Sequence, residues 1–132
     1  MSLVSAAMKY HPEFCNTETR ISDLMYILKK YNYHEVYILD SENRPIGVIN
    51  ERDINNEILA KSLHPFDVKA KDLMTNISTV VSQNSTLTEC QLLMDANHLT
   101  VLPVVDEKGH YLGVVNKKDF FSDIDPDLQY IY

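Results

Sequence analysis

The chain has 132 residues, 45% of them hydrophobic, which suffices for one compact domain or for two small lobes that share a core. Its 12 Lys and Arg residues against 19 Asp and Glu give a formal net charge of −7. This charge argues against general binding of nucleic acids or anionic membranes, because both need positive potential. No apolar run approaches the roughly 20 residues that span a bilayer and no secretory signal is visible, so we expect a cytoplasmic protein without a membrane partner.

The first part of the chain predicts a strand, a helix and a β-hairpin. The apolar stretch EFCN (13–16) precedes threonines that can cap a helix. Apolar residues then recur at spacings of three and four, which predicts a helix with one buried face: Ile21, Leu24, Met25 and Leu28. The runs VYILD and PIGVIN, separated by the polar turn SENR, predict the hairpin.

The stretch SLHPFDVKAK (62–71) contains Pro65 and several charges, and it is typical of a linker rather than of another element. Asp72, Leu73 and Met74 follow it. We expect these three residues to open the second part of the chain as a buried turn or short helix, with Met74 filling space in the core.

The second part of the chain repeats the order of the first. ISTVV (77–81) predicts a strand, and Thr86 lies three residues before Glu89, which is the spacing of a capping box. Apolar residues again recur at helical spacing: Leu87, Cys90, Leu93 and Met94. LPVVD, the turn EKGH and YLGVVN then predict a second hairpin.

The two parts are copies of one unit. GVINERD (47–53) and GVVNKKD (113–119) share Gly, Val, Asn and Asp at an offset of 66 residues, and apolar residues fall on apolar residues from Met8 to Asp53 without a gap. Such a register indicates an internal duplication. In both copies an Asn follows the hairpin where a helix N-cap belongs, and an Asp takes the third helical position. The predicted order of elements in the repeated unit is therefore β-α-β-β-α.

The remaining chemistry-bearing residues favour neither catalysis nor a metal. Cys15 and Cys90 lie among apolar neighbours at positions that the offset does not relate, so we expect buried thiols rather than a disulfide. The five histidines lack metal-ligand spacing. DIDPD (123–127) lacks the Gly and Glu of a calcium loop and is read as a solvated helix end. The tail residues Leu128, Tyr130 and Ile131 are candidates for an interface.

With KDLMT, LPVVD and GVVNKKD at their spacings, residues 8–124 resemble a tandem pair of CBS domains, also called a Bateman module. The resemblance implies an α/β (α+β) fold in which two β-α-β-β-α repeats pack their sheets together around a pseudo-twofold axis. The expected boundaries are 1–63 for the first repeat, 64–71 for the linker, 72–125 for the second repeat and 126–132 for the tail. It also implies regulation of an attached domain or partner by adenine nucleotides bound in two clefts between the repeats, and pairing into homodimers.

The resemblance assigns residues to the two clefts. In the family pattern a Thr or Ser takes the position of Asn50 and of Asn116, so both copies depart from it; Asn keeps the cap and can donate to a phosphate through its amide. The Asp accepts hydrogen bonds from a ribose diol, and Arg52 or Lys118 meets phosphate. The expected lining of cleft one is Asn50, Arg52, Asp53, Ile77, Ser78, Leu99, Thr100 and Val101. The expected lining of cleft two is Asn116, Lys118, Asp119, His11, Pro12, Tyr33, His34 and Glu35.

We expect cleft one to bind phosphate more tightly, because Arg52 suits a phosphate while Glu35 opposes one in cleft two. The plain alternative for Asn50 to Asp53, and for Asn116 to Asp119, is a structural N-cap pair. The plain alternative for Tyr33 and His34 is a half-exposed turn.

The predicted function is a regulatory module that senses AMP, ADP, ATP or a related adenosine compound, as a ligand rather than a cofactor. A structural dimerisation module with clefts that bind nothing is the second candidate. An enzyme is the third, because the sequence shows no nucleophile with its base, no phosphate loop and no metal cluster.

Overall fold

The computed structural model describes residues 2–10, 15–77 and 79–120. They belong to two compact units, named here for their positions in the sequence: the inner unit is Glu13–Ser78, and the outer unit combines Met1–Pro12 with Thr79–Tyr132. The predicted residues His11, Pro12 and Ser78, the DIDPD segment and the tail residues Leu128, Tyr130 and Ile131 lie outside the described residues.

The helices and strands follow one another along the chain with short connections. In chain order they are α1 (Val4–Ala7), β1 (Lys9–Tyr10), β2 (Cys15–Asn16), α2 (Ile21–Tyr31), β3 (Glu35–Leu39), β4 (Pro45–Asn50), α3 (Glu51–Lys61), a 3-10 helix (Pro65–Asp67), α4 (Ala70–Leu73), β5 (Thr75–Asn76), β6 (Val81–Ser82), α5 (Leu87–Asn97), β7 (Val101–Val105), β8 (Tyr111–Asn116) and a second 3-10 helix (Lys117–Asp119).

Each unit contains one four-stranded sheet. The strand order is β2-β3-β4-β5 in the inner unit and β1-β8-β7-β6 in the outer unit. In each sheet one pair of strands is parallel, β2 with β3 and β6 with β7, and the other pairs are antiparallel. The α/β fold class and the two repeated units are thereby confirmed.

The 66-residue offset of the sequence repeat also relates the helices and strands of the structure. It relates α1 to α4, α2 to α5 and each strand of one sheet to a strand of the other, and the pairing of Lys9 with Val114 is matched by that of Thr75 with Val48. The opening helix and strand of each copy are exchanged, since β1 completes the sheet of the second copy and β5 that of the first. The sequence pattern did not predict these two added strands.

Helix α2 buries one face, as predicted, but one residue that was predicted to lie on this face is exposed. Ile21, Leu24 and Leu28 belong to the inner core, whereas Met25 is 37% exposed because it lies on the flank of that face. In the outer unit, Leu87, Cys90 and Met94 are buried and Leu93 packs against them from the edge. Cys15 and Cys90 are both buried and form no disulfide with each other, as expected.

The stretch predicted to be a linker without regular structure contains a 3-10 helix and the start of α4, so that part of the prediction was wrong. Val68 and Ala70 are buried in the inner core. The carbonyl of Val68 accepts a hydrogen bond from the backbone N–H of Ile21 at 2.8 Å, so the stretch also holds the start of α2. Met74 packs against the same core, as predicted.

Candidate functional site

The turn between β4 and α3 is built by Asn50. Its backbone is extended while its side-chain oxygen accepts a hydrogen bond from the backbone N–H of Asp53 at 2.8 Å. This is the predicted N-cap, and Asp53 is the third helical residue. The Asn50 oxygen thus accepts from one of the N–H groups that a helix start leaves unpaired. The side-chain NH2 group of Asn50 can donate hydrogen bonds to a ligand.

Arg52 and Asp53 line two different depressions of the inner unit. The first, of about 560 Å³, is lined by His34, Asn50, Glu51, Arg52, Asn55 and Asn56. The second, of about 470 Å³, is lined by Asp53, Asn56, Glu57, Lys61, Asp72, Leu73 and Thr75. We call them the Arg52 depression and the Asp53 depression. The two residues thus contribute to different depressions that share Asn56, and their joint role in one cleft stays a prediction.

The Asp53 depression is acidic. Among the described residues that line it, Asp53, Glu57 and Asp72 contribute three carboxylates and Lys61 contributes one cation. Lys61 Nζ lies 2.8 Å from a Glu57 oxygen, and this hydrogen bond raises the pKa of Lys61. With the lysine engaged by Glu57, the surroundings of Asp53 disfavour a polyphosphate.

Ile77 lies beside Ile46 near the start of β4, four residues before Asn50. Its backbone N–H donates to the carbonyl of Ile46 at 3.1 Å, directly after β5 pairs with β4. The opening segment of the second copy thus runs along β4 within the unit that contains Asn50 and Asp53. Its contribution to a ligand site stays a prediction.

Within the inner unit, His34 lies next to Asn50. The His34 carbonyl accepts from the N–H of Glu51 at 3.1 Å, and the side chain of His34 lines the Arg52 depression. Tyr33 stacks on Tyr31 with ring centroids 5.5 Å apart. The assignment of Tyr33 and His34 to the Asn116 cleft stays a prediction.

Glu35 pairs with Asn50 across the two strands of the inner hairpin. One Glu35 oxygen accepts a hydrogen bond from the Tyr37 hydroxyl at 3.2 Å. Burial raises the pKa of Glu35, although this hydrogen bond and nearby His34 act in the opposite direction.

The equivalent turn of the outer unit has a different charge. Asn116 accepts from the backbone N–H of Lys118 at 3.1 Å, and Asp119 is the third residue of the 3-10 helix. Lys9 Nζ lies 3.9 Å from an Asp119 oxygen, and Lys117 pairs with Asp95 at 2.8 Å. Among the described residues, Lys9, Lys117 and Lys118 contribute three lysines near this turn, and Asp95 and Asp119 contribute two carboxylates.

Leu99, Thr100 and Val101 also lie in the outer unit. The carbonyl of Thr100 accepts from the backbone N–H of Lys117 at 2.8 Å, and Val101 pairs with Asn116. Leu99 is 39% exposed. Their contribution to a site with Asn50 stays a prediction, as does every assignment of a ligand-binding role.

Sequence reasoning missed three residues near the two carboxylates: Lys9, Asp72 and Thr75. The offset could have identified one relation among them, because it places Lys9 and Thr75 at the same position of the repeat. The charges near the two turns differ, and the predicted ranking of the two clefts stays a prediction.

The CBS domain model matches residues 4–60 and 70–125, so the chain belongs to the CBS domain family and contains a tandem pair of these domains. Among the residues that the structure describes, no helix is long and apolar enough to cross a membrane and no cluster of His, Cys, Asp and Glu could hold a metal ion.

Two relatives show how the pair occurs in longer proteins. An uncharacterised protein of Methanopyrus kandleri is 29% identical over 112 residues, which make up 85% of this chain and 56% of that protein. The inosine-5'-monophosphate dehydrogenase of Bifidobacterium longum is 30% identical over 110 residues, which make up 83% of this chain and 20% of the dehydrogenase. The chain thus spans about half of the first protein and a fifth of the second.

Solved structures share the fold at low identity. Hypoxic Response Protein I, solved with two coordinated zinc ions, superposes with a TM-score of 0.81 at 18% identity and covers 94% of this chain and 100% of its own. CBSX2 in complex with AMP gives 0.74 at 19% identity and covers 98% of both chains. The CBS domain pair of protein MJ0100, with 5'-methylthioadenosine and S-adenosyl-L-methionine, gives 0.75 at 21% identity and covers 92% of this chain and 94% of its own.

Proposed function

We propose that this CBS pair is a regulatory module that binds adenosine compounds and passes the binding signal to an attached domain or a partner protein. The observation that carries the proposal is the repeated turn in which an Asn caps and an Asp follows three residues later, at Asn50 to Asp53 and at Asn116 to Asp119. An ionised carboxylate at this position can accept both hydroxyl hydrogens of a ribose diol.

The phosphate-bearing ligand is assigned to the outer turn. Lys9 and Lys118 offer ammonium groups there, and Lys9 approaches the same carboxylate that would hold the ribose. A phosphate next to two ammonium groups gains charge-assisted hydrogen bonds, which are stronger than neutral ones. AMP, with one phosphate, suits this modest excess of positive charge better than ATP does.

The inner turn is assigned a different class of adenosine compound. With Glu57 and Asp72 near Asp53, a ligand without negative charge avoids the repulsion that a phosphate would meet. An uncharged nucleoside or a cationic one fits these surroundings. The CBS pair of protein MJ0100, which shares the fold, was solved with 5'-methylthioadenosine and S-adenosyl-L-methionine.

Calorimetric titration of the wild type, Asp119→Ala and Asp53→Ala with AMP and with 5'-methylthioadenosine tests both assignments. Asp119→Ala should weaken AMP binding about tenfold or more, through loss of a charge-assisted acceptor. Asp53→Ala should do the same to 5'-methylthioadenosine. Glu107→Ala removes an exposed hairpin carboxylate and should leave both affinities unchanged, and circular dichroism checks that each variant is folded.

The competing function is a structural dimerisation module. Absence of binding by the folded wild type at millimolar concentrations of both compounds would refute the sensing role and favour this alternative. Equal losses from both substitutions for both compounds would refute the division of ligands while leaving the sensing role in place.

A further inference from the structure

A third depression of the inner unit lies between α2 and α3. Its lining includes neither Asp53 nor Asp119, the carboxylates of the two capped turns. Its volume is about 530 Å³, within the range of small-molecule sites. Met25, which is 37% exposed, contributes apolar surface, and Tyr26 and Tyr33 contribute aromatic rings. We call it the α2–α3 pocket.

Two opposite charges line this pocket without forming an ion pair. Lys29 and Glu51 both contribute to the lining, yet no salt bridge joins these two described residues. The 66-residue offset relates them to Asp95 and Lys117, which have the reverse charges and do pair, at 2.8 Å. The inner unit thus has an ammonium and a carboxylate facing an open pocket where the outer unit has a closed ion pair.

The aromatic walls are placed to receive an apolar group. Tyr33 is held by its stacking on Tyr31 and packs against the inner core, so its ring orientation is fixed before a ligand arrives. Tyr26 is 65% exposed and has Lys30 Nζ 5.8 Å from its ring centroid. Fixed aromatic surface lowers the ordering cost of binding.

We propose that the α2–α3 pocket binds a zwitterionic small molecule, namely an α-amino acid with an aromatic or large aliphatic side chain. Lys29 receives the carboxylate, Glu51 receives the ammonium group, and the side chain packs on Met25 and the tyrosines. A ligand with only one charge would satisfy one of the two polar residues, whereas the zwitterion forms charge-assisted hydrogen bonds with both. The proposal does not depend on adenosine binding.

Calorimetric titration with L-phenylalanine tests it, alongside 2-phenylethylamine, which lacks the carboxylate, and 3-phenylpropanoate, which lacks the ammonium group. L-phenylalanine should bind the wild type in the millimolar range or better, and each analogue should bind about tenfold more weakly. Lys29→Gln should abolish the preference for L-phenylalanine over 2-phenylethylamine, and Glu51→Gln its preference over 3-phenylpropanoate. Asp95→Asn, at the position equivalent to Lys29, should leave the affinities for L-phenylalanine and both analogues unchanged.

Three outcomes would overturn the proposal. They are no binding of L-phenylalanine by the folded wild type, binding that neither Lys29→Gln nor Glu51→Gln changes, and equal affinity for the amino acid and both analogues. Sedimentation of the same samples identifies the rival occupant, because self-association that weakens in Tyr26→Ala, together with absent L-phenylalanine binding, would mean that a second copy covers the pocket.

Discussion

Gly113 lies directly against the backbone of Lys9, so that a Cβ atom on Gly113 would come 2.3 Å from the Lys9 carbonyl oxygen. The equivalent Gly47 faces a side chain instead, because its Cβ would come 2.6 Å from Sδ of Met74. The exchanged opening segments pack closely against both Gly113 and Gly47, and this close packing explains the glycine of the repeated motif. Backbone cannot move aside without disturbing β1, whereas the end of a methionine side chain can rotate.

Gly113→Ala should therefore destabilise the protein more than Gly47→Ala. We expect about 1–3 kcal/mol for Gly113→Ala, the usual range for overpacking, and less than about 1 kcal/mol for Gly47→Ala. Urea unfolding followed by circular dichroism measures both. A loss at Gly47 that equals or exceeds that at Gly113 would contradict the close approach of β1 to β8.

The cap of α3 can be tested by changing its side chain. Asn50→Ala removes the oxygen that accepts from the Asp53 N–H and should cost about 1 kcal/mol of stability, whereas Asn50→Ser keeps an acceptor and should cost much less. Thermal unfolding of the two variants gives the comparison. Equal destabilisation by Ala and Ser would show that the side-chain oxygen does not stabilise the helix.

Cys90 should be unreactive in the folded protein. Burial raises the pKa of its thiol from 9.0 to about 11, so the nucleophilic thiolate is scarce at neutral pH. Mass spectrometry after iodoacetamide treatment should find Cys90 modified only when the protein is unfolded by urea. Rapid modification under native conditions would contradict its burial in the core.

Because of the same thiol, the stability of the folded protein should decrease at alkaline pH. The pKa of the Cys90 thiol is higher in the folded than in the unfolded protein. The stability that the thiol contributes is therefore complete below about pH 9 and is lost as the pH rises towards about 11, with a slope of up to about 1.4 kcal/mol per pH unit. Cys90→Ala lowers overall stability by leaving a cavity but removes this slope. Urea midpoints at several pH values give the difference, and equal slopes in both proteins would refute the raised pKa.

Glu35 provides a test at acidic pH. Burial raises its pKa, so its contribution favours the folded protein at low pH and is lost as the pH rises through the folded-state pKa. Glu35→Gln keeps an acceptor for the Tyr37 hydroxyl and removes the charge. The variant should equal or exceed the wild type in stability at pH 7, and its stability relative to the wild type should fall on acidification; the opposite trend would contradict the assignment.

The hairpins and caps could be predicted from the sequence because local residues determine them. PIGVIN and YLGVVN coincide with β4 and β8, and Asn50 and Asn116 cap as expected. The exchanged strands could not be predicted in this way. Lys9–Tyr10 and Thr75–Asn76 are two residues long and exposed, so they show no hydrophobic alternation, and their partners are distant in the sequence.

The site was predicted less completely than the fold, for two reasons of geometry. Arg52 and Asp53 are consecutive helical residues, whose side chains diverge by about 100° around the axis, so they line different depressions. The predicted ranking of the two clefts considered the charges of Arg52 and Glu35. Residues distant in sequence, such as Asp72 and Lys9, also contribute charges around Asp53 and Asp119.

Amide NMR during titration with AMP tests the central claim of adenosine sensing most directly. The signals of Lys118 and Asp119 should shift first and saturate at the lower AMP concentration, with those of Arg52 and Asp53 following only weakly, while Glu107 and Lys108 in the outer hairpin turn serve as unaffected references. Shifts that begin at Arg52 and Asp53 would contradict the assignment of phosphate to the outer turn, and the absence of shifts at both turns at millimolar AMP would contradict AMP sensing by this CBS pair.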